Sequence, residues 1–195
     1  MAAGVSSMGR WIGACAAGEA LALVASALFS TVTSLAPTEG LGSYALPVLL
    51  VGAGVLEGAI VGWAQASVLD VPRARWAGVT ALAFGGLWAI GACLSLIEPA
   101  TPTRAEVLAF SALTGAGLGV LVGTLQGRVR RLSQHLPRNA LGWALALIVT
   151  AIGADLVPHG DLGVQGLMTH LVTGAVAGAV VGAVTFGSVV RALRA

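Results

Sequence analysis

Six apolar stretches, each long enough to cross a lipid bilayer as a helix, dominate this sequence. A spanning helix needs about 20 mainly apolar residues. The stretches are bounded approximately by residues 11–36, 46–69, 76–97, 105–127, 140–158 and 164–189. Proline and glycine separate them, and no connecting segment is long enough to fold alone. The sequence therefore predicts a single all-α transmembrane domain over 1–195, a polytopic membrane bundle of six transmembrane helices.

The composition excludes a water-soluble fold. Charged residues make up 9% of the chain and hydrophobic residues 57%, whereas an average soluble domain is about 25% charged. The net charge of +2 gives no reason to expect nucleic acid as a partner. Cys15 and Cys93 lie inside apolar stretches, so we interpret them as small core residues and not as a disulfide. The first apolar stretch is too long for a cleaved signal peptide, which predicts a retained helix.

The arginines predict the orientation in the membrane. All ten basic residues are arginine, which together with the alanine content suggests a GC-rich bacterial genome. Nine of them fall on one side of the six predicted spans: Arg10, Arg73, Arg75, Arg128, Arg130, Arg131, Arg138, Arg191 and Arg194. The arginine-rich side of a membrane protein is cytoplasmic. We therefore expect a multi-pass protein of the bacterial cytoplasmic membrane with both termini in the cytoplasm.

Three glycine ladders, each with a glycine at every fourth position, indicate an internal repeat. The ladders are Gly54, Gly58 and Gly62, then Gly115, Gly119 and Gly123, then Gly174, Gly178 and Gly182. Three residues after each ladder comes a polar side chain: Gln65, Gln126 and Thr185. A tryptophan opens each odd-numbered stretch at the predicted cytoplasmic edge: Trp11, Trp76 and Trp143. The pattern predicts three copies of a two-helix hairpin.

The ladders also predict how the helices pack. Glycine at every fourth position lines one face of a helix and lets another backbone approach closely, which is how helices associate in lipid. With ladders on the second, fourth and sixth helices, we expect these three to form a tightly packed central trio. The odd-numbered helices would flank it, anchored by their tryptophans at the headgroups.

Two carboxyl groups are predicted to lie at mid-membrane depth. Glu19 follows Trp11 by eight residues, or ~12 Å at 1.5 Å per residue, and Glu57 precedes Gln65 by the same number. A charged carboxylate at that depth costs several kcal/mol, so each acid must be protonated, paired or beside water. The other ladders carry Leu118 and Ala177 at the position of Glu57. The acids therefore form either a site for a proton, ion or small solute, or a neutral hydrogen-bonded contact between helices.

Other polar residues have simpler interpretations. Gln65 and Gln126 favour hydrogen bonds between helices, with a substrate contact as the alternative. Arg128, Arg130 and Arg131 are suited to anionic lipid headgroups or to a cytoplasmic partner protein, and an oligomer is compatible with the ladders. Metal-ligating residue types gather around the turn between the last two stretches: Asp155, His159, Asp161 and His170. A short proline- and glycine-containing turn accounts for polar residues there, so we predict no metal and no cofactor.

An enzymatic function has little support in the sequence. Ser111 in the fourth stretch and His170 in the sixth resemble the layout of rhomboid intramembrane proteases. However, rhomboids place the serine in G-x-S-G, and this chain has Ala109, Phe110, Ser111 and Ala112. The glycines that shape an oxyanion site are absent, and no P-loop, HExxH or GxSxG motif occurs. We therefore predict a protein that is not an enzyme.

The tryptophan start and the G-x3-G-x2-Q pattern resemble small, glycine-rich, multi-pass bacterial membrane proteins without an assigned activity. This resemblance rests on packing motifs and implies no substrate. Two functions remain: binding or transport of a small solute or ion through the mid-membrane carboxylates, and a non-catalytic membrane subunit or assembly factor. A serine-protease-like function is a third alternative. The repeat does not require Glu57, and this favours the first.

Overall fold

The computed structural model describes residues 3–35, 45–94, 102–130, 136–157 and 163–194. These ranges form six helices: α1 (Ala3–Leu35), α2 (Ala45–Ala66), α3 (Arg73–Leu94), α4 (Arg104–Arg130), α5 (Leu136–Ala154) and α6 (Val164–Arg194). Each contains a segment long and apolar enough to cross a membrane. The protein is therefore an all-α, multi-pass integral membrane protein, and the predicted fold class is confirmed.

Helix ends differ from the predicted spans in two informative places. The helix α1 begins at Ala3 although its predicted span begins at residue 11, because a helix continues beyond the part that hydropathy detects. The helix α5 begins at Leu136 and contains Pro137 in its first turn. Proline is compatible with that position because the first N–H groups of a helix have no partner within it. The predicted span, 140–158, leaves this first turn out.

The six helices form a closed ring in chain order. Each helix contacts the one before it and the one after it, and α6 returns to pack on α1. The most extensive contacts join α2 to α3, α4 to α5 and α6 to α1. Within the described ranges, α2, α4 and α6 make no close backbone approach to one another. The prediction of a central trio of even-numbered helices is therefore wrong.

The glycine ladders explain which pairs are tight. Each ladder lies against the following odd-numbered helix, with α1 following α6, and the middle glycine of each ladder meets backbone atoms of that helix. A Cβ on Gly58 would lie 2.7 Å from the Cα of Ala81, and one on Gly182 would lie 2.8 Å from the Cα of Ile12. A Cβ on Gly119 would overlap the carbonyl of Asn139. The ladders thus point along the ring and not toward its centre.

Bulkier apolar residues fill the centre of the ring. Val61, Val122 and Val181 each come three residues after the middle glycine of a ladder and belong to one buried cluster. Phe84 and Trp143 meet there edge to face, with ring centroids 5.2 Å apart. The even-numbered helices therefore meet through side chains, while their backbones stay apart.

The tryptophans do not follow the predicted register. Trp11 and Trp76 are 4% and 2% exposed, so they point into the bundle and not toward headgroups. Trp143 is deeper: its carbonyl lies against Gly115, the first glycine of its ladder. In α1, the residue whose carbonyl meets the first glycine of a ladder is Glu19. Because α5 begins before Pro137, Trp143 corresponds to Glu19 and not to Trp11.

Antiparallel packing of neighbours places most described arginines at one end of the ring, here called the arginine end. It holds Arg10, Arg73, Arg75, Arg128 and Arg138. The other end, here called the opposite end, holds an exposed ion pair between Arg104 and Asp155, 3.4 Å apart. Several residues named in the sequence predictions lie outside the described part of the chain: Arg131, His159 and Asp161, and the side chains of Arg130, Arg191 and Arg194.

Candidate functional site

Buried polar side chains form two layers inside the ring. The first, called the polar layer, lies toward the arginine end and contains Trp11, Cys15, Gln65, Trp76, Thr80, Gln126 and Thr185. The second, called the acid layer, lies deeper and contains Glu19, Ser26, Glu57 and Trp88. The two layers differ in how completely their hydrogen bonds are made.

Gln65 is the centre of the polar layer. Its Oε1 accepts hydrogen bonds from Nε2 of Gln126 at 3.0 Å and from Nε1 of Trp76 at 3.2 Å. Nε2 of Gln126 also contacts the hydroxyl of Thr80 at 2.9 Å. All four side chains are buried. Three helices, α2, α3 and α4, are thereby joined through side-chain hydrogen bonds.

The first and last helices join the same layer. Nε2 of Gln65 lies 3.8 Å from Sγ of Cys15, and Nε1 of Trp11 donates to the hydroxyl of Thr185 at 3.2 Å. The Thr185 hydroxyl in turn donates to the carbonyl of Val181, one turn earlier. A buried polar network whose members are satisfied makes a helix bundle rigid and specific. Gln65 and Gln126 therefore make hydrogen bonds between helices, as the sequence predicts.

Glu57 is the best-held member of the acid layer. The hydroxyl of Ser26 in α1 donates to its Oε1 at 2.6 Å, and the indole N–H of Trp88 in α3 donates to its Oε2 at 2.7 Å. The side chain is 6% exposed. The carboxyl group is thus fixed between the two helices that flank α2.

Gly54 makes the bond from Trp88 to Glu57 sterically possible. A Cβ on Gly54 would lie 2.8 Å from the Cβ of Trp88 and would overlap the indole ring. The first glycines of the other two ladders, Gly115 and Gly174, instead meet backbone atoms. The ladder of α2 has therefore an additional role, because it leaves space for a side chain that donates to the acid.

Glu19 is buried but incompletely satisfied. It is 8% exposed, and its Oε1 has no hydrogen-bond partner. Glu19 lies two turns before Ser26 on one face of α1, and Ser26 donates to Glu57, so both acids lie at the contact between α1 and α2. A buried polar group without a partner costs about 1–3 kcal/mol. The structure therefore brings the two predicted acids into one neighbourhood, where one is held by donors and the other is not.

The acids replace apolar core at this depth. Glu57 directly precedes Gly58, as Leu118 and Ala177 directly precede the middle glycines of the other two ladders. Leu118 and Ala177 are both 1% exposed and belong to the central cluster. The position of Glu57 thus belongs to the interior of the bundle in all three ladders.

Ser26 and Trp88 were not among the predicted site residues, although the sequence held a signal for each. Ser26 follows Glu19 by seven residues, which places both on one face of α1. Trp88 lies inside an apolar helix, and a buried indole N–H normally has an acceptor. Searching for an acceptor at matching depth would have led to Glu57.

The remaining predicted residues are not brought into a site. Nδ1 of His170 lies 2.8 Å from the carbonyl of Gly166 in its own helix. Ser111 is on α4, which makes no close backbone contact with α6 over the described residues. In the same part of the chain, no three His, Cys, Asp or Glu side chains are grouped so that they could hold a metal ion.

The fold places this chain in the class of multi-pass integral membrane proteins, because six of its described helices are long and apolar enough to cross a membrane. No protein family, curated protein or solved structure matches this chain.

Proposed function

We propose that this protein binds a small cation at Glu19 and Glu57 in exchange for a proton, and that this site serves transport across the membrane. The unpartnered Oε1 of Glu19 carries the proposal, since it is buried beside a carboxyl group whose own hydrogen bonds are complete. Ser188 Oγ is also buried without a partner, but only the orphaned oxygen of Glu19 belongs to a carboxyl group, for which a bound ion is one explanation. Intramembrane carboxyl groups commonly mark ion paths and proton relays.

Electrostatics favours a ligand with one positive charge. Two negative charges repel strongly where solvent does not screen them. Such a pair holds one proton between its two groups and carries one negative charge. A monovalent cation that displaces this proton leaves the charge of the pair unchanged, so the exchange adds no further charge to the buried site, and it gives Glu19 Oε1 a partner. The donors on Glu57 hold its oxygens in place, so Glu19 is the group that responds to the ligand.

The packing of the helices supports access from the opposite end. The satisfied polar layer fills the ring near the arginine end. Toward the opposite end, residues 86–93, 104–114, 147–157 and 163–173 include only three that are buried, Ala92, Gly153 and Gly166. The helices are thus less tightly packed on that side of the acid layer, and a ligand entering there meets the acids before the polar layer.

Proton release on cation binding tests this function. The purified protein, in a weakly buffered solution with a pH dye, is titrated with Na⁺, K⁺ or methylammonium. We expect proton release with one of these cations and its loss in Glu19→Gln and in Glu57→Gln. Glu106→Gln is the matched control, because Glu106 is an exposed acid whose carboxylate accepts hydrogen bonds from Thr103. No release with any cation, or unchanged release in both acid variants, would refute the proposal.

A non-catalytic membrane subunit is the second candidate function. The satisfied polar layer favours it, because ladders and glutamines build a rigid ring that needs no ligand. In that case Glu57→Gln is nearly silent in every assay, since a glutamine side chain still accepts from Trp88 and still bonds to Ser26. The same variant therefore separates the two functions.

The orientation belongs to the proposal as well. The arginines support a bacterial cytoplasmic membrane protein whose arginine end, with both termini, faces the cytoplasm. Reporter fusions after Ala195 and within residues 37–45 test this, and we expect signals from opposite sides of the membrane. Equal signals from the two fusions would contradict this orientation.

A further inference from the structure

An apolar groove of about 520 Å³ runs along the outside of the ring between α3 and α4. Its lining includes Leu87 and Ile90 from α3, and Gly117, Leu121 and Thr124 from α4. All of these residues lie within candidate membrane spans. The helices α3 and α4 make the least extensive contact of any neighbouring pair in the ring. The groove therefore opens toward the surrounding lipid at the weakest seam of the bundle.

Gly117 gives the groove part of its depth. A Cβ on Gly117 would meet no atom within 4 Å. The ladder glycines on either side of it, Gly115 and Gly119, lie against the backbone of α5 instead. Gly117 therefore faces away from the ladder contact and leaves open space on the lipid-facing side of α4.

The groove leads toward a positive charge. Gly117, Leu121, Thr124 and Arg128 follow one another at intervals of four, three and four residues, so they share one face of α4. Arg128 is exposed and lies at the arginine end. From Leu113 to Thr124 the groove extends ~16 Å at 1.5 Å per residue, about half of the ~30 Å hydrocarbon thickness of a bilayer. Its length therefore matches the acyl region of one leaflet.

We propose that this groove is a binding site for an anionic phospholipid of the leaflet at the arginine end. One acyl chain would occupy the apolar groove, and the phosphate group would accept hydrogen bonds from the guanidinium of Arg128. Guanidinium groups are suited to phosphate because their donors match its oxygens in pairs. Arg128 supplies the charge complementarity, and the membrane-spanning position of the groove supplies the chain. The site is separate from the acid layer and does not depend on its function.

Native mass spectrometry with two lipids tests both parts of the site. The delipidated protein is mixed with dioleoyl phosphatidylglycerol or dioleoyl phosphatidylcholine, which carry identical chains but differ in headgroup charge. We expect several-fold higher occupancy by phosphatidylglycerol. Arg128→Gln should lower that occupancy to the level of phosphatidylcholine, while Arg10→Gln, which changes another exposed arginine at the same end, should leave it unchanged.

The groove itself is tested by filling it. We expect Gly117→Phe to lower the occupancy of both lipids. The control is Gly78→Phe, since Gly78 of α3 is exposed, has equal space for a Cβ and does not line the groove. Should Gly117→Phe fail to fold, Thr124→Trp fills the groove from its arginine end. Wild-type occupancy in a folded groove variant, or an undiminished phosphatidylglycerol preference in Arg128→Gln, would overturn the proposal. Neither result bears on Glu19 or Glu57.

Discussion

The polar layer and the acid layer lie close together in one bundle, yet they differ in how completely their buried polar groups are hydrogen-bonded. Gln65 and Glu57 are separated by eight residues of α2, and both are buried. Gln65 has partners from α1, α3 and α4. Glu57 has two donors, but its neighbour Glu19 keeps an oxygen without a partner. The first layer is held by hydrogen bonds within the chain, whereas the second leaves one carboxyl oxygen without a partner, and we propose that a ligand supplies it.

Both layers depend on the α6–α1 contact, so breaking that contact should have the largest effect. Gly178 lies against the carbonyl of Cys15 in the polar layer, and Gly174 lies against that of Glu19 in the acid layer. Leucine at either position inserts bulk between two backbones, and overpacking costs about 1–3 kcal/mol, occasionally more. Unfolding of Gly178→Leu and Gly174→Leu in detergent should show this loss. Gly117→Leu, which has open space, should unfold like the wild type; equal losses in all three would mean that the ladder contact has no special role.

Removing the centre of the polar layer should have the next largest effect. Gln65→Ala leaves the indole N–H of Trp76 without an acceptor and removes a partner of Gln126, and such losses cost about 1–3 kcal/mol in a buried place. The measurement is the free energy of unfolding in detergent. Gln165→Ala, at an exposed glutamine of α6, is the control. A stability equal to that of the control would show that the polar layer does not hold the helices together.

A smaller loss is expected where the ladder serves the acid layer. In Gly54→Ala the new methyl group overlaps the indole of Trp88, so the indole must move away from Glu57. We expect a loss of about 1 kcal/mol, near the cost of one hydrogen bond, with a changed tryptophan fluorescence and weaker cation binding. Gly86→Ala is a fitting comparison, because its Cβ would make an ordinary contact of 3.8 Å with Leu121. Unchanged cation affinity in Gly54→Ala would separate Trp88 from the binding site.

The sharpest contrast between the layers is expected at Glu19, with the smallest effect on stability. Replacing a buried, incompletely satisfied polar group by an apolar one of similar size is often neutral or stabilising. Glu19→Leu should therefore unfold like the wild type, or later by up to about 1 kcal/mol, while proton release on cation addition disappears. A clear loss of stability would show that Glu19 supports the fold, which would contradict the assignment of the acid layer to a ligand.

The sequence predicts the six described helices correctly, because hydropathy measures length along the membrane normal. It did not predict the neighbours in the ring. A glycine ladder indicates that another backbone comes close, but not which one. The ladder that contains Gly58 predicts a central trio of helices, whereas in the structure Gly58 lies against α3. The predicted position of Trp143 at the helix start is wrong because α5 begins at Leu136 and includes Pro137, which the first turn of a helix accepts. The partners of Glu57 required knowledge of the faces of α1 and α3, which depend on the whole ring.

The closing contact of the ring has a consequence for the order in which the protein is made. Two of the three tight pairs, α2–α3 and α4–α5, join helices that follow each other in the chain, and each can form as soon as its second helix is inserted. The third joins α1 to α6, the first and the last of the six described helices in chain order. Until α6 enters the membrane, the face of α1 that carries Cys15 and Glu19 lacks its glycine partner. The acid layer is therefore enclosed only after α6 has been synthesised and inserted. A chain truncated before α6 would leave the face of α1 that carries Glu19 uncovered.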